Sequence, residues 1–286
     1  MAHPFKQLGI NDENYPSLLR EIPKAPEILY LRGDFADWEK PLVAIVGTRK
    51  ATSYGLKVAR ELAGDLAAKG VVIVSGLALG IDAMAHKGAL DAGGLTLAVL
   101  GSGVNQIYPA TNAGLAREIL QKGGAIISEF PPEQMPDKWT FPQRNRIVAG
   151  LSQATIVIEA PEKSGALITA YLALDFNREV GAIPGEITSV NSVGTNALLR
   201  RGAAVIRSAD DVLELLGMEE EKAPAQQTLD LMDEIEQIIL QCLAEPKSRE
   251  ELAIESEIDA ATLGAKLTML ELKGVIKKLD DKFLIN

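Results

Sequence analysis

Arg144 and Arg146 flank an asparagine in the stretch "TFPQRNRIVAGLS", residues 140–152. The run "IVAGLS" reads as a helix continuing into a strand, "ATIVIEA", which sets both guanidinium groups where a helix starts. Free backbone N–H groups and the positive end of the helix dipole favour anions at such a point. Arg49 stands in "GTRKATSYG", directly after the apolar run "VAIVG". These three arginines are expected to share one anion-binding rim, and removing them is expected to leave the fold intact.

Catalytic chemistry is thinly represented. Cys242 is the only cysteine and His3 and His86 the only histidines, which leaves no disulfide, no cysteine-based zinc site and little material for a metal centre. Asp82 and His86 are four residues apart on one helix, a spacing that fits a steadying hydrogen bond. Ser164 has no candidate base beside it. Glu129 and Glu159 both end strands, so a carboxylate pair is conceivable. The plainer reading has them holding Arg144 and Arg146. "GSGVNQ" lacks the third glycine of a dinucleotide fingerprint, and no Gly-Lys-Ser/Thr of a phosphate-binding loop occurs. No cofactor is implied. Tyr54, Tyr108 and Phe141 fall near the same loops, in positions to stack on bases.

These residues need a scaffold, and the middle of the chain describes one. "VAIVG", "VVIVSG", "TLAVLGSG", "AIISE", "TIVIEA", "EVGAIPG" and "AAVIRS" are apolar runs of buried-strand length. Helical patterns at 54–70, 81–92, 112–122, 144–151, 165–177 and 193–201 lie between them. Strands apolar on both faces and joined by helices mean an α/β fold with a doubly wound, mostly parallel, extended Rossmann-like sheet. A ligand crevice is then expected at the carboxyl ends of the strands. Gly47, Gly76, Gly80, Gly101, Gly103 and Gly165 follow strand ends there, where a missing side chain lets backbone amides approach a phosphate.

The expected organisation is a lead-in over residues 1–40 that caps the sheet, the Rossmann-like domain over 41–217, a linker over 218–229 and a small C-terminal domain over 230–286. The last has three amphipathic helices and a terminal hairpin, a winged-helix pattern. Its second helix is opened by Ser248 with Glu251 three residues on, a capping box.

Charge follows this division. The 286 residues carry a net charge of −10, yet residues 40–216 hold 17 basic and 16 acidic side chains, against 7 and 13 in residues 228–286. A polyanion would be met by a local patch in the middle of the chain, while the tail repels phosphate and is expected to act mainly as a protein-contact or regulatory module. With no apolar run of membrane-span length and no secretory signal, a cytoplasmic protein with no membrane partner is expected.

Long ordered blocks carry a resemblance: "VAIVGTRKATSYG", "VSGLALGIDAMAHKGAL", "GGLTLAVLGSGVNQIYPATN", "FPQRNRIVAGLSQATIVIEAPEKSGALITAYLAL" and "REVGAIPGEITSVNSVGTNALLRRGA". From about residue 12 to 215 the chain resembles the DNA-processing protein A family (DprA, also called Smf). The resemblance implies a protein of natural transformation that binds single-stranded DNA without sequence specificity and without catalysis. It also implies a homodimer, partnership with RecA recombinase, which it helps load, and with single-strand-binding protein. Carried over by position, the DNA groove comprises Gly47, Thr48 and Arg49, then Gly76, Gly80, Gly101 and Gly103. Arg144, Asn145 and Arg146 continue it, with Ser164, Gly165 and Thr169. Two departures stand out: the chain starts too late for the helical domain that many members carry ahead of the sheet, and Ala110 follows the Tyr-Pro pair where many place lysine.

Two other readings compete. Phosphoribohydrolases of the "lonely guy" type share such a sheet but rely on a Pro-Gly-Gly-x-Gly-Thr loop and a following glutamate, where this chain has "EAPEKSGALITA". A duplex-reading regulator would use the third tail helix, whose Ala260, Ala261, Thr262, Gly264 and Lys266 include no Arg or Asn to read base edges.

Overall fold

The run Leu42–Val46 is a strand buried on both faces. Leu42, Ala44 and Val46 pack into one apolar layer, Val43 and Ile45 into another. Such a strand must lie inside a sheet covered by helices on both sides. The computed structural model, which describes residues 4–218, 234–243, 245–256, 258–272, 275–279 and 281–285, has this arrangement. The chain divides into two units, Met1–Glu219 and Glu220–Asn286. Beyond residue 218, the linker expected at 218–229 lies outside the described residues.

The larger unit runs β1 (Phe5–Gly9), α1 (Ser17–Arg20), β2 (Ile28–Gly33), β3 (Leu42–Val46), α2 (Ser53–Ala68), β4 (Val72–Ser75), α3 (Ile81–Asp91), β5 (Thr96–Val99), α4 (Ala113–Gln121) and β6 (Ala125–Ser128). It continues through α5 (Thr140–Leu151), β7 (Ala154–Val157), α6 (Gly165–Asp175), β8 (Glu179–Ala182), α7 (Val193–Arg200), β9 (Ala204–Val205) and α8 (Ala209–Leu215). The nine strands form one sheet in the order β1-β2-β6-β5-β4-β3-β7-β8-β9. From β6 to β9 every neighbouring pair is parallel; β2 joins β6, and β1 joins β2, antiparallel.

The lead-in therefore does not simply cap the sheet. It supplies two edge strands, because "ILYLRG" alternates exposed and buried side chains as a paired strand does. Between them, Leu19 and Ile22 lie against Gly150 of α5, and Phe35 after β2 joins the same apolar layer, so these parts cover a face. On the other face α2 and α3 approach closely: a side chain at Gly88 would overlap the Arg60 carbonyl.

His86 on α3 is fully buried. It does not bond Asp82, as its spacing suggested; its Nδ1 lies 2.6 Å from Thr96 Oγ1. That hydroxyl donates its proton to the Ile73 carbonyl at 2.7 Å, so Nδ1 must be the donor to it and the ring is the neutral Nδ1–H tautomer. Asp82 accepts instead from the loop that precedes its own helix, which leaves its carboxylate turned toward the strand ends.

The smaller unit comprises α9 (Glu234–Cys242), β10 (Lys247–Ser248), α10 (Arg249–Ser256), α11 (Ala260–Leu272), β11 (Ile276–Leu279) and β12 (Lys282–Ile285). Its antiparallel sheet has the order β10-β12-β11, and Ile239, Leu252, Leu263, Leu267, Ile276 and Phe283 make its core. The capping box is formed: Glu251 N–H donates to Ser248 Oγ at 3.2 Å, and Ser248 N–H to Glu251 Oε2 at 2.7 Å.

Burial, with a smaller push from Arg144, takes the His86 imidazole from 6.5 down to about 3. The folded state thus holds His86 neutral, and its contribution is full above pH 6.5 and lost as pH falls from there toward 3. By pH 5 that loss amounts to about 2 kcal/mol. In His86→Asn the amide can keep the donor to Thr96 but does not titrate. Denaturant unfolding at pH 7 and pH 5 should show the variant losing about 2 kcal/mol less than the parent chain; parallel pH profiles would contradict this assignment.

Candidate nucleic-acid interface

β3 is the point at which the sheet order reverses: the chain first builds β4, β5 and β6 on one side, then β7, β8 and β9 on the other. The loop after β3 enters α2 in one helical layer, and the loop after β7 enters α6 in the opposite layer. Neighbouring loops that part in this way open a crevice at the carboxyl ends of the strands. Here it is a cleft of about 310 Å³. Gly47, Thr48 and Arg49 form one wall, Lys163, Ser164 and Gly165 another, and Phe141, Arg144 and Asn145 of α5 a third, with Thr169 behind.

α5 starts at Thr140, earlier than the sequence suggested. Pro142 falls in its first turn, where a missing N–H leaves nothing unpaired. The two arginines are consequently mid-helix, and two residues of separation turns them to different sides. Arg144 is only 6% exposed. Its Nη1 donates to the carbonyls of Gly76 at 2.5 Å and Val99 at 2.7 Å, and its Nε to Asn145 Oδ1 at 3.1 Å. Among the described residues Nη2 has no acceptor, and Arg144 is one of the residues that line the cleft.

Asp82 completes this knot. Its Oδ2 accepts from Gly76 N–H at 3.0 Å and Ala78 N–H at 3.4 Å, so one glycine gives its N–H to the acid and its C=O to the arginine. Burial raises the Asp82 carboxyl above its usual range, with Arg144 opposing, and burial lowers Arg144. Removing Arg144 strips the buried Gly76 and Val99 carbonyls of their donor, a loss of roughly 1–3 kcal/mol for each group left unpaired, and takes away the charge that opposes the desolvation of Asp82. The expectation that Arg144 can be removed without harm to the fold is therefore revised.

Arg146 leaves the rim altogether. It is paired with Glu129, and only 18% of its side chain is exposed. Gly80 and Gly103 also lie outside the cleft lining. Gly80 caps α3 with φ 78°, and a side chain there would strike the Thr48 carbonyl. Gly103 abuts the carbonyls of Pro131 and Pro132. Gly101 borders a smaller adjoining recess and packs under Phe141. Gly47 is pressed by Ile81 and Gly76 by the Arg144 guanidinium; Gly165 alone of the six faces open space. Most of these glycines are small because protein, not ligand, fills the side-chain position.

The rest of the rim divides between scaffold and free charge. Thr48 Oγ1 accepts from Lys50 N–H at 3.2 Å. Asn145 Nδ2 donates to the Gly165 carbonyl at 3.2 Å, tying α5 to the start of α6, and Ser164 Oγ caps α6 by accepting from Ala166 N–H at 3.3 Å. Thr169 is buried, its hydroxyl 3.5 Å from the Gly165 carbonyl. Arg49 is exposed, its guanidinium 5.2 Å from the Phe141 ring centre, with no hydrogen-bond or ion-pair partner among the described residues. Lys163 is likewise exposed on the facing loop, a cation absent from the residues expected at the rim. A lysine just ahead of the Ser-Gly pair that opens a helix was the available signal.

The two strand-end glutamates are occupied separately. Glu129 holds Arg146, while Glu159 accepts from Thr52 N–H at 2.9 Å and Thr52 Oγ1 at 2.5 Å, fixing the entry to α2 rather than an arginine. Among the described residues no group of three or more His, Cys, Asp or Glu could hold a metal ion, and no helix is long and apolar enough to cross a membrane.

Residues 6–217 match the family profile of DNA recombination-mediator protein A, and residues 220–282 that of the DprA winged helix domain. DNA processing protein DprA of Bacillus subtilis is 43% identical over 218 residues, 74% of this chain and 73% of its own length. Protein Smf of Escherichia coli is 42% identical over 206 residues, 72% of this chain, but the match spans only 55% of that protein. Among solved structures, DNA processing protein A of Streptococcus pneumoniae superposes with a TM-score of 0.69 at 42% identity, covering 73% of this chain and 74% of that one. DNA processing protein A of Helicobacter pylori, described for a unique single-stranded DNA binding mode, gives 0.67 at 35% identity, covering 76% and 98%.

The glycine assignments are directly checkable. Gly76→Ala should destabilise the fold by about 1–3 kcal/mol, since the new methyl overlaps a guanidinium that cannot retreat. Gly165→Ala should change stability by no more than about 0.5 kcal/mol. Equal effects in chemical denaturation would show that the Arg144 knot does not set the local packing.

Proposed function

The chain belongs to the DNA recombination-mediator protein A family, and from that premise we propose that it binds single-stranded DNA without sequence preference across the β3–β7 cleft. The observation that carries this reading is the presence of two exposed cations, Arg49 and Lys163, with no hydrogen-bond or ion-pair partner among the described residues, on facing walls of a cleft that Arg144 also lines. Phosphates of one strand would meet Arg49 and Lys163 directly, with the Gly165 end of α6 offering its helix dipole between them. Arg144 contributes a fixed, largely buried charge beneath the strand, which draws phosphate inward without needing to move. Glycines 47 and 76, with Thr48, Asn145, Ser164 and Thr169, hold these groups at their spacing.

A cleft at a strand-order reversal is narrow and lies between two loops. It suits a flexible single strand that can bend its phosphates inward, whereas a duplex would have to follow it with a stiff backbone. In the cell the chain would protect incoming strands during natural transformation and help load RecA recombinase onto DNA covered by single-strand-binding protein, acting as a homodimer in the cytoplasm and without catalysis. Ile187, Val190 and Val193 in one short segment are exposed apolar side chains of the kind a self-association surface uses.

Fluorescence anisotropy across a salt series tests the reading. Arg49→Ala and Lys163→Ala should each weaken single-strand binding and lower the slope of log affinity against log salt by about 0.7. Arg146→Ala should leave that slope unchanged. A wild-type preference for duplex over single strand, or slopes indifferent to Arg49 and Lys163, would sink the proposal.

A further inference from the structure

Arg49 carries a free side chain on a clamped backbone. Its neighbour Thr48 gives its N–H to the Glu159 carbonyl at 2.8 Å, which ties the start of the β3–α2 loop to the end of β7. At the far end of the loop, the Glu159 carboxylate takes the amide and hydroxyl of Thr52. Between these two points, the Lys50 carbonyl accepts from Asn191 Nδ2 at 3.0 Å, and the same amide donates to Glu159 Oε2 at 3.4 Å.

Asn191 belongs to the connection between β8 and α7, 141 residues beyond Lys50. Its backbone carbonyl accepts from Ala160 N–H at 2.7 Å, and the Ala160 carbonyl in turn accepts from Gly194 N–H at 2.8 Å. Ala160 stands in the β7–α6 loop that carries Lys163. One residue thus holds both loops that bear the exposed cations of the cleft. Its side chain serves the Arg49 loop and its main chain the Lys163 loop.

Ordinary loop closure does not account for this side chain. The β8–α7 connection makes its own turns without it, Ser189 N–H donating to the Glu186 carbonyl at 3.1 Å and Ser192 N–H to that of Ser189 at 3.0 Å. Lys50 is exposed, so water can serve its carbonyl and burial does not demand the Asn191 bond. The bond therefore adds little to the fold and fixes a place. The loop has room to leave that place, because Thr52 and Tyr54 border a hollow of about 630 Å³ together with Gly185 and Ser189. A segment beside open space keeps one position only while something holds it, and a loop that must be ordered on binding loses affinity.

We propose that Asn191 is a positioning residue for single-strand binding, holding the Lys50 carbonyl so that Arg49 meets the strand that Lys163 also holds. This rests on the cleft reading above. Asn191 itself touches no DNA. With its amide gone, the Arg49 arm is lost in part. The Lys163 arm stays, since it is held through a backbone carbonyl that no substitution removes.

The test measures a labelled oligothymidylate on the full chain across a salt series, for the parent, Asn191→Ala, Asn191→Leu, Arg49→Ala and Lys163→Ala. Asn191→Ala is also combined with each of the last two. Asn191→Leu keeps the bulk of the side chain and removes the donor. Both Asn191 variants should weaken binding about three- to tenfold, the cost of ordering a freed segment. Their salt slopes should move part of the way toward that of Arg49→Ala. In the Arg49→Ala background, Asn191→Ala should cost no more than about twofold further, whereas its effect should add in full to that of Lys163→Ala. A fraction of unfolded protein lowers the amount that binds and leaves the slope where it was, so slope and cycle separate positioning from stability. A parental salt slope in both Asn191 variants, or full additivity with Arg49→Ala, would overturn the positioning role. If Arg49→Ala itself left binding unchanged, the cleft reading would fall and this inference with it. Losses at Arg49 and Lys163 with indifference to Asn191 would remove the inference alone.

Discussion

A buried guanidinium needs protein acceptors, and Arg144 finds two of them for Nη1 at the ends of two neighbouring strands. Its ties to the carbonyls of Gly76 and Val99 join the exits of β4 and β5. Asp82 draws the β4–α3 loop inward through its amides from the other side. The rim owes its shape to this arrangement. Gly76 has to be glycine because the guanidinium occupies the space of its side chain, and Asn145, the acceptor of Arg144 Nε, reaches on to the first residue of α6. One buried charge therefore ties the exits of β4 and β5 to α5 and, through Asn145, to the start of α6, beside which the exposed Lys163 stands.

That arrangement separates two kinds of positive charge that look alike on paper. Arg144 is desolvated and structurally committed, so its loss acts first on the fold. Arg49 and Lys163 are exposed and without carboxylate partners among the described residues, so their loss leaves the core as it is. Arg146, two positions from Arg144, serves the Glu129 pair and faces away from the cleft. A polyanion held by the first two groups gains from a third charge that is already in place and needs no reordering on binding.

The parallel sheet, its helices and the winged-helix pattern are legible because apolar runs bounded by glycines repeat along residues 43–206, and the capping box at Ser248 and Glu251 is a local signal that formed as read. The family likeness is legible for the same reason: its blocks follow the strand ends. What local reading misses depends on which face of an element a residue occupies. The start of α5 at Thr140 is hard to read because its first turn contains Pro142, although proline fits that position. Only with the true helix start do Arg144 and Arg146 fall on different sides. The glycines were assigned to ligand contact because no single sequence says that Ile81, Phe141 or a guanidinium lies against them. The strands β1 and β2 are hard to read among the prolines of the lead-in, since β1 pairs only with β2, and β2 joins the sheet through β6, about a hundred residues away in the chain.

Photocross-linking tests the central claim most directly: a single strand carrying a halogenated pyrimidine is irradiated on the intact chain and the attached peptides are mapped. The account requires the modified peptides to come from residues 47–52, 138–145 and 161–169, the three walls of the cleft. Attachment confined to residues 234–285, or to the outer faces of α2 and α3, would contradict it.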